Sequence, residues 1–173
     1  MIEWLGTWMR RRSHRKHEAF LRRHVGNFLA IPLDGAFAYG RVVRNARLAC
    51  YDLRSEFVLP IEEVEKAKVL FTIPVYHNTY ESSRWKVIGR KPLEKELDRP
   101  VKFFREDAIT GAIDIYCEGE YLPHTDEDLS RLERLAVWNA DAVEWRLRSH
   151  FAGACDLVTE KMKYKPREDE PPC

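Results

Sequence analysis

The 173-residue chain lacks the short motifs by which many enzymes and metal proteins are identified. It has no G-x-S-x-G nucleophile motif, and its eight Gly residues are scattered rather than gathered into a phosphate-binding loop. Its four Cys residues form no CxxC pair, which argues against a zinc site and a redox dithiol. His14 and His17 lie three residues apart, a spacing that could share a metal, but no Cys lies near them and His residues are ordinary in a basic helix. We therefore predict no catalytic residue, no cofactor and no metal.

Long hydrophobic runs are also missing. No apolar stretch approaches the roughly 20 residues that a membrane helix needs. The apolar residues Trp4, Leu5, Trp8 and Met9 precede the basic run of the amino terminus, which is the wrong order for a secretion signal. Widely spaced Cys residues are typical of reduced thiols. These features predict a cytoplasmic protein without a membrane partner.

The formal net charge is only +1, but the charges are segregated along the chain. Residues 1–25 carry seven Lys or Arg against two acidic residues, whereas residues 106–128 carry eight acidic residues and no Lys or Arg. Such an acidic block suits a surface that meets a basic partner, although a solvated edge without a role is the alternative. The predicted partner-binding residues are Glu106, Asp107, Glu118, Glu120, Asp126, Glu127 and Asp128.

Residues 26–53 predict a three-stranded β-meander. Asp34-Gly35 separates two apolar runs and is typical of a type I′ hairpin turn, and residues 44–46 form a weaker turn signal. With Asp34 and Gly35 as the loop, Leu33 faces Ala36 and Pro32 faces Phe37, so both faces of the hairpin carry apolar side chains. Pro32 marks its strand as an edge or a bulge.

Further strands are expected within residues 69–76, 84–88, 101–104 and 112–117, and a short helix near residues 59–64. Thr125 and Asn139 are candidate N-caps of two helices, over residues 125–136 and 140–151, the second stopped by Gly153. The fold class is therefore α+β, with a curled, mostly antiparallel sheet or small barrel, two C-terminal helices and an N-terminal helical appendage. The expected organisation is a basic helix at 1–25, one domain at 26–160 and a solvated tail at 161–173.

The order of six sequence blocks resembles the immunity protein 26 family of bacterial polymorphic toxin systems. The blocks are GNFLAIPLDGAFAYGRVV at 26–43, ACYDL at 49–53, VLFTIPVY at 69–76, RWKVIGRKPLE at 84–94, KFFREDAITG at 102–111 and LERLAVWNADAVEWRLRSHFAG at 132–153. The resemblance implies a cytoplasmic antidote without enzymatic activity that binds a toxin domain. It supplies no catalytic residues, and the helix at 1–25 lies outside it.

Two other functions stay open at this level. A small barrel whose basic helix at 1–25 binds phosphates would be a nucleic-acid-binding module. A hydrolase would need a Cys such as Cys50, Cys117 or Cys155 to meet a His such as His77, His124 or His150 in space. The sequence predicts neither the oligomeric state nor the identity of the toxin.

Overall fold

The computed structural model describes residues 23–124, 129–154 and 157–165. Within these ranges the protein is α+β, with two antiparallel sheets and few helices. The elements in chain order are β1 (Asn27–Leu33), β2 (Ala36–Val43), β3 (Arg47–Ser55), α1 (Ile61–Val64), β4 (Val69–Pro74), a 3₁₀ helix (His77–Glu81), β5 (Lys86–Arg90), β6 (Lys102–Glu106), β7 (Ile113–Cys117), β8 (Glu120–Pro123), α2 (Ala140–Phe151) and α3 (Leu157–Met162).

The predicted β-meander is confirmed, together with the register of its first hairpin. Leu33 pairs with Ala36 and Pro32 with Phe37, and the pairing continues in step to Phe28 and Arg41. The turn type differs from the prediction, because Gly35 has a φ of 77° while Asp34 has no positive φ. A type I′ turn needs positive φ at both positions, and a positive φ at the second alone is the pattern of a type II turn.

The strands of the larger sheet follow the order β4-β3-β2-β1-β5. Among the described strands β4 and β5 end this sheet and do not pair with each other, so the sheet is open and the predicted barrel alternative is wrong. Pro74 lies in β4, which is an edge strand of this sheet. Pro32 is different, because β1 pairs with β2 on one side and with β5 on the other. The β5 pairing covers only Asn27 to Ala30, so β1 has a single partner at the level of Pro32.

Apolar side chains are buried on both faces of the meander. On one face Phe28, Ala30, Tyr39 and Tyr51 form a core with Val64 of α1. On the other face Gly40 makes room for its neighbours, since a Cβ there would lie 3.0 Å from Leu48 and 3.3 Å from Ile31. Gly40 is therefore a packing requirement of this sheet, because a larger residue would crowd Leu48 and Ile31.

A second sheet contains three strands in the order β6-β7-β8. Strand β8 was not expected from the sequence. Cys117 pairs with Glu120, so Glu118 and Gly119 are the two loop residues, with φ of 52° and 100°. Positive φ at both positions is the pattern of a type I′ turn. Gly119 was the available signal, but Glu is not a usual residue at the first position of such a turn.

The first of the two predicted C-terminal helices, over residues 125–136, is wrong for residues 130–136, while residues 125–128 lie outside the described ranges. Leu129 is helical, residues 130–131 form a turn, and residues 132–139 contain no helix and only isolated β-bridges. Phe104 N–H donates to Glu133 O at 3.0 Å, and Leu135 N–H donates to Phe104 O at 2.7 Å. These residues form backbone hydrogen bonds with a distant segment instead of with each other in a helix. This tertiary pairing outweighs the helical spacing of their leucines. Thr125, the expected N-cap, lies outside the described residues.

The second predicted helix is present as α2. Asn139 accepts a hydrogen bond from Ala142 N–H at 2.8 Å, which is the predicted N-cap, and Gly153 follows the helix with a φ of 62°. The short helix α3 was not predicted. The N-terminal helix expected at 1–25 and the tail expected at 161–173 lie mostly outside the described residues.

The chain divides into two compact units. The first contains the chain up to Arg99 and residues Val137–Glu144, and the second contains Pro100–Ala136 and the chain from Trp145 onward. The first unit therefore holds the five-stranded sheet, and the second holds the three-stranded sheet. Within the described ranges, none of the helices has the length and apolar character needed to cross a membrane.

Candidate partner-binding surfaces

Four of the seven predicted partner-binding acids lie among the described residues, at two opposite ends of the second sheet. Glu106 is the last residue of β6, and Asp107 follows it. Glu118 lies in the turn between β7 and β8, and Glu120 is the first residue of β8. Strand β7 separates the two groups by about 13 Å, at roughly 3.3 Å per residue. The structure thus does not bring these four acids together. The other three, Asp126, Glu127 and Asp128, lie outside the described residues.

Arginines from elsewhere in the second unit neutralise part of the acidic block. Arg105 Nη2 lies 2.6 Å from Asp114 Oδ2 on the neighbouring strand. Arg134 pairs with Glu106, and its guanidinium lies 5.5 Å from the centre of the Phe104 ring. The sequence count of acids overstates the negative potential, because Arg134 is distant in the chain and only the fold brings it to Glu106.

Asp107 organises the turn between β6 and β7. Its Oδ1 accepts hydrogen bonds from Ile109 N–H at 3.0 Å, from Thr110 N–H at 2.7 Å and from the Thr110 hydroxyl at 2.9 Å. The bonds from the backbone and side chain of Thr110, together with that from Ile109, lower the pKa of Asp107. The turn is thereby fixed, with Ile109 on its exposed side.

A cation and two aromatic rings lie on one face of the second sheet. The guanidinium of Arg105 is 4.1 Å from the centre of the Tyr121 ring, and the rings of Tyr116 and Tyr121 are 5.4 Å apart. Tyr121 is half exposed, whereas Tyr116 is partly buried. Tyrosine and arginine are common in protein interfaces, so this face can also meet a partner.

In the first unit, the loop of residues 55–59, called here the Phe57 loop, was not singled out from the sequence. The buried hydroxyl of Tyr39 lies 2.5 Å from Ser55 Oγ, donates to Phe57 O at 3.0 Å and accepts from Leu59 N–H at 3.0 Å. Phe57 is 77% exposed and Val58 is 37% exposed. The available signal was an aromatic residue just before the pair Leu59-Pro60, where the alternation of the strand ends.

Arg41 is a buried cation in the same unit, and the apolar pattern of β2 gave no hint of its role. Its guanidinium donates to Glu94 and to the carbonyl oxygens of Lys91 and Pro92, and it lies 4.4 Å from the centre of the Phe28 ring. Burial raises the pKa of Glu94, but the hydrogen bond from Arg41 and the nearby cations outweigh this effect and lower it. Arg41 therefore fixes the segment after β5 onto the sheet.

The described residues give little support to metal or thiol chemistry. No group of three or more His, Cys, Asp or Glu side chains within the described ranges is arranged to hold a metal ion. Cys50 is fully buried in β3, and Cys117 is partly buried. Trp85 and Trp138 are buried core residues, and the indole N–H of Trp85 donates to Glu144 at 2.9 Å.

The molecule described so far is a small α+β protein whose surface offers charged groups and exposed apolar side chains. The sequence model of the family described as immunity protein 26 matches residues 24–112, which is 89 of 173 residues. The chain therefore belongs to the immunity protein 26 family. The matched range covers five of the six sequence blocks that suggested the resemblance and leaves out residues 132–153. Searches of curated proteins and of solved structures gave no match to the chain.

Proposed function

We propose that this protein is an antidote that neutralises a toxin of a polymorphic toxin system by stoichiometric binding in the cytoplasm of a bacterium. The observation that carries the proposal is membership of the immunity protein 26 family over residues 24–112. An immunity protein must recognise another protein, and membership of such a family suggests an inhibitor rather than an enzyme. The nucleic-acid-binding alternative rests on residues 1–25, which lie almost wholly outside the described residues, and the family match favours the antidote over this alternative and the hydrolase.

We place a contact with the toxin on the acidic block, represented by Glu106, Asp107, Glu118, Glu120 and residues 126–128. An acidic surface accelerates encounter with a basic protein and discourages acidic partners. Arg134 and Arg105 pair with Glu106 and Asp114, whereas Glu118 and Glu120 are exposed at the other end of the second sheet and form a distinct group to test. The same reasoning leaves Asp126, Glu127 and Asp128 as a separate group to test.

The experiment uses the toxin domain encoded next to this gene, at the carboxyl end of a large secreted protein. Cells that produce the toxin domain alone should stop growing, and production of this protein in the same cells should restore growth. A neighbourhood of biosynthetic genes, or a toxin domain against which this protein gives no protection, would contradict the proposal.

The acidic contact is tested by association kinetics. Replacing Glu118 and Glu120 by Lys, or Asp126, Glu127 and Asp128 by Lys, should slow association about tenfold at low salt and flatten its salt dependence. Glu96→Lys is the control, because Glu96 is an exposed acid outside the block. If both groups of reversals associate like the control, the acidic block is not the contact, while the immunity function itself stands.

A further inference from the structure

We draw no further inference here: the strongest candidate, the face of the three-stranded sheet where Arg105 stacks on Tyr121 beside Tyr116, carries no proposal, because nothing in the structure shows what covers it.

Discussion

Arg41 shows at the scale of a single residue how this fold uses a buried charge. The side chain is fully buried, yet its guanidinium has a carboxylate, two carbonyl oxygens and an aromatic ring as neighbours. Burial of a cation is tolerated only when such partners replace water. The arrangement joins β2 to the segment of Lys91 to Glu94, which lies 50 to 53 residues further along the chain.

Removing this side chain should be costly. We expect Arg41→Ala to lower the free energy of unfolding by about 3 kcal/mol, because it leaves a cavity and deprives two carbonyl oxygens of their donor. Glu94→Gln should cost less than about 1 kcal/mol, since the Glu94 carboxylate is about half exposed. Urea denaturation at neutral pH measures both values. Equal losses for the two variants would contradict the central position of Arg41.

The hydrogen bonds of Asp107 predict how the stability of the fold depends on pH. Hydrogen bonds from Thr110 and Ile109 hold its pKa below the usual value in the folded protein. A depressed pKa stabilises the fold above the unfolded value of about 3.9, and the stabilisation is lost as the pH falls through the folded value. In Asp107→Asn the stability should therefore fall less steeply below about pH 4 than in the wild type.

Urea midpoints measured between pH 5 and pH 2 test this expectation. Thr110→Val should give an intermediate slope, because it removes the hydroxyl that bonds to Asp107 and keeps the two backbone donors. An Asp107→Asn variant whose stability follows the wild-type slope at every pH would show that the turn contributes nothing to the acid response.

At the scale of elements, the hairpins show what local sequence can decide. Asp34-Gly35 and the alternation around it predicted the register of β1 and β2, because a two-residue loop determines which residues pair. The leucines of residues 129–136 are helical in spacing, but the backbone groups of residues 133–135 bond to Phe104 and Met162 instead of forming a helix. The spacing of residues within one segment cannot predict hydrogen bonds to a partner segment roughly 30 residues away in the chain.

Two glycines with positive φ allow a matched test of element packing. Gly26, with φ of 87°, lies so close to Lys91 that a Cβ would be 2.2 Å from the Lys91 carbonyl oxygen. Gly35, with φ of 77°, has nothing within 4 Å of its Cβ position. Gly35→Ala should cost about 1 kcal/mol, from the backbone conformation alone, and Gly26→Ala well above about 2 kcal/mol. Denaturation midpoints that rank the two variants equally would contradict the close approach of Lys91.

The whole molecule was only partly predictable, for two different reasons. The α+β class, the meander and the family could be predicted because they depend on local turns and on the order of sequence blocks. The distribution of the acidic block could not, since the fold separates Glu106 from Glu118 and brings Arg134 to the first of them. The Phe57 loop depends on one hydroxyl of Tyr39, 18 residues away in the chain, which no local pattern reveals.

The central claim is that the protein acts by forming a complex, and a titration tests it most directly. The toxin domain encoded next to this gene is held at a fixed concentration well above the dissociation constant, and its activity is measured as this protein is added. The account predicts a linear fall that ends at one molecule of this protein per toxin domain. Complete inactivation by a small fraction of an equivalent would indicate a catalyst, and an unchanged activity at excess protein would show that it is no antidote to this toxin; either result contradicts the account.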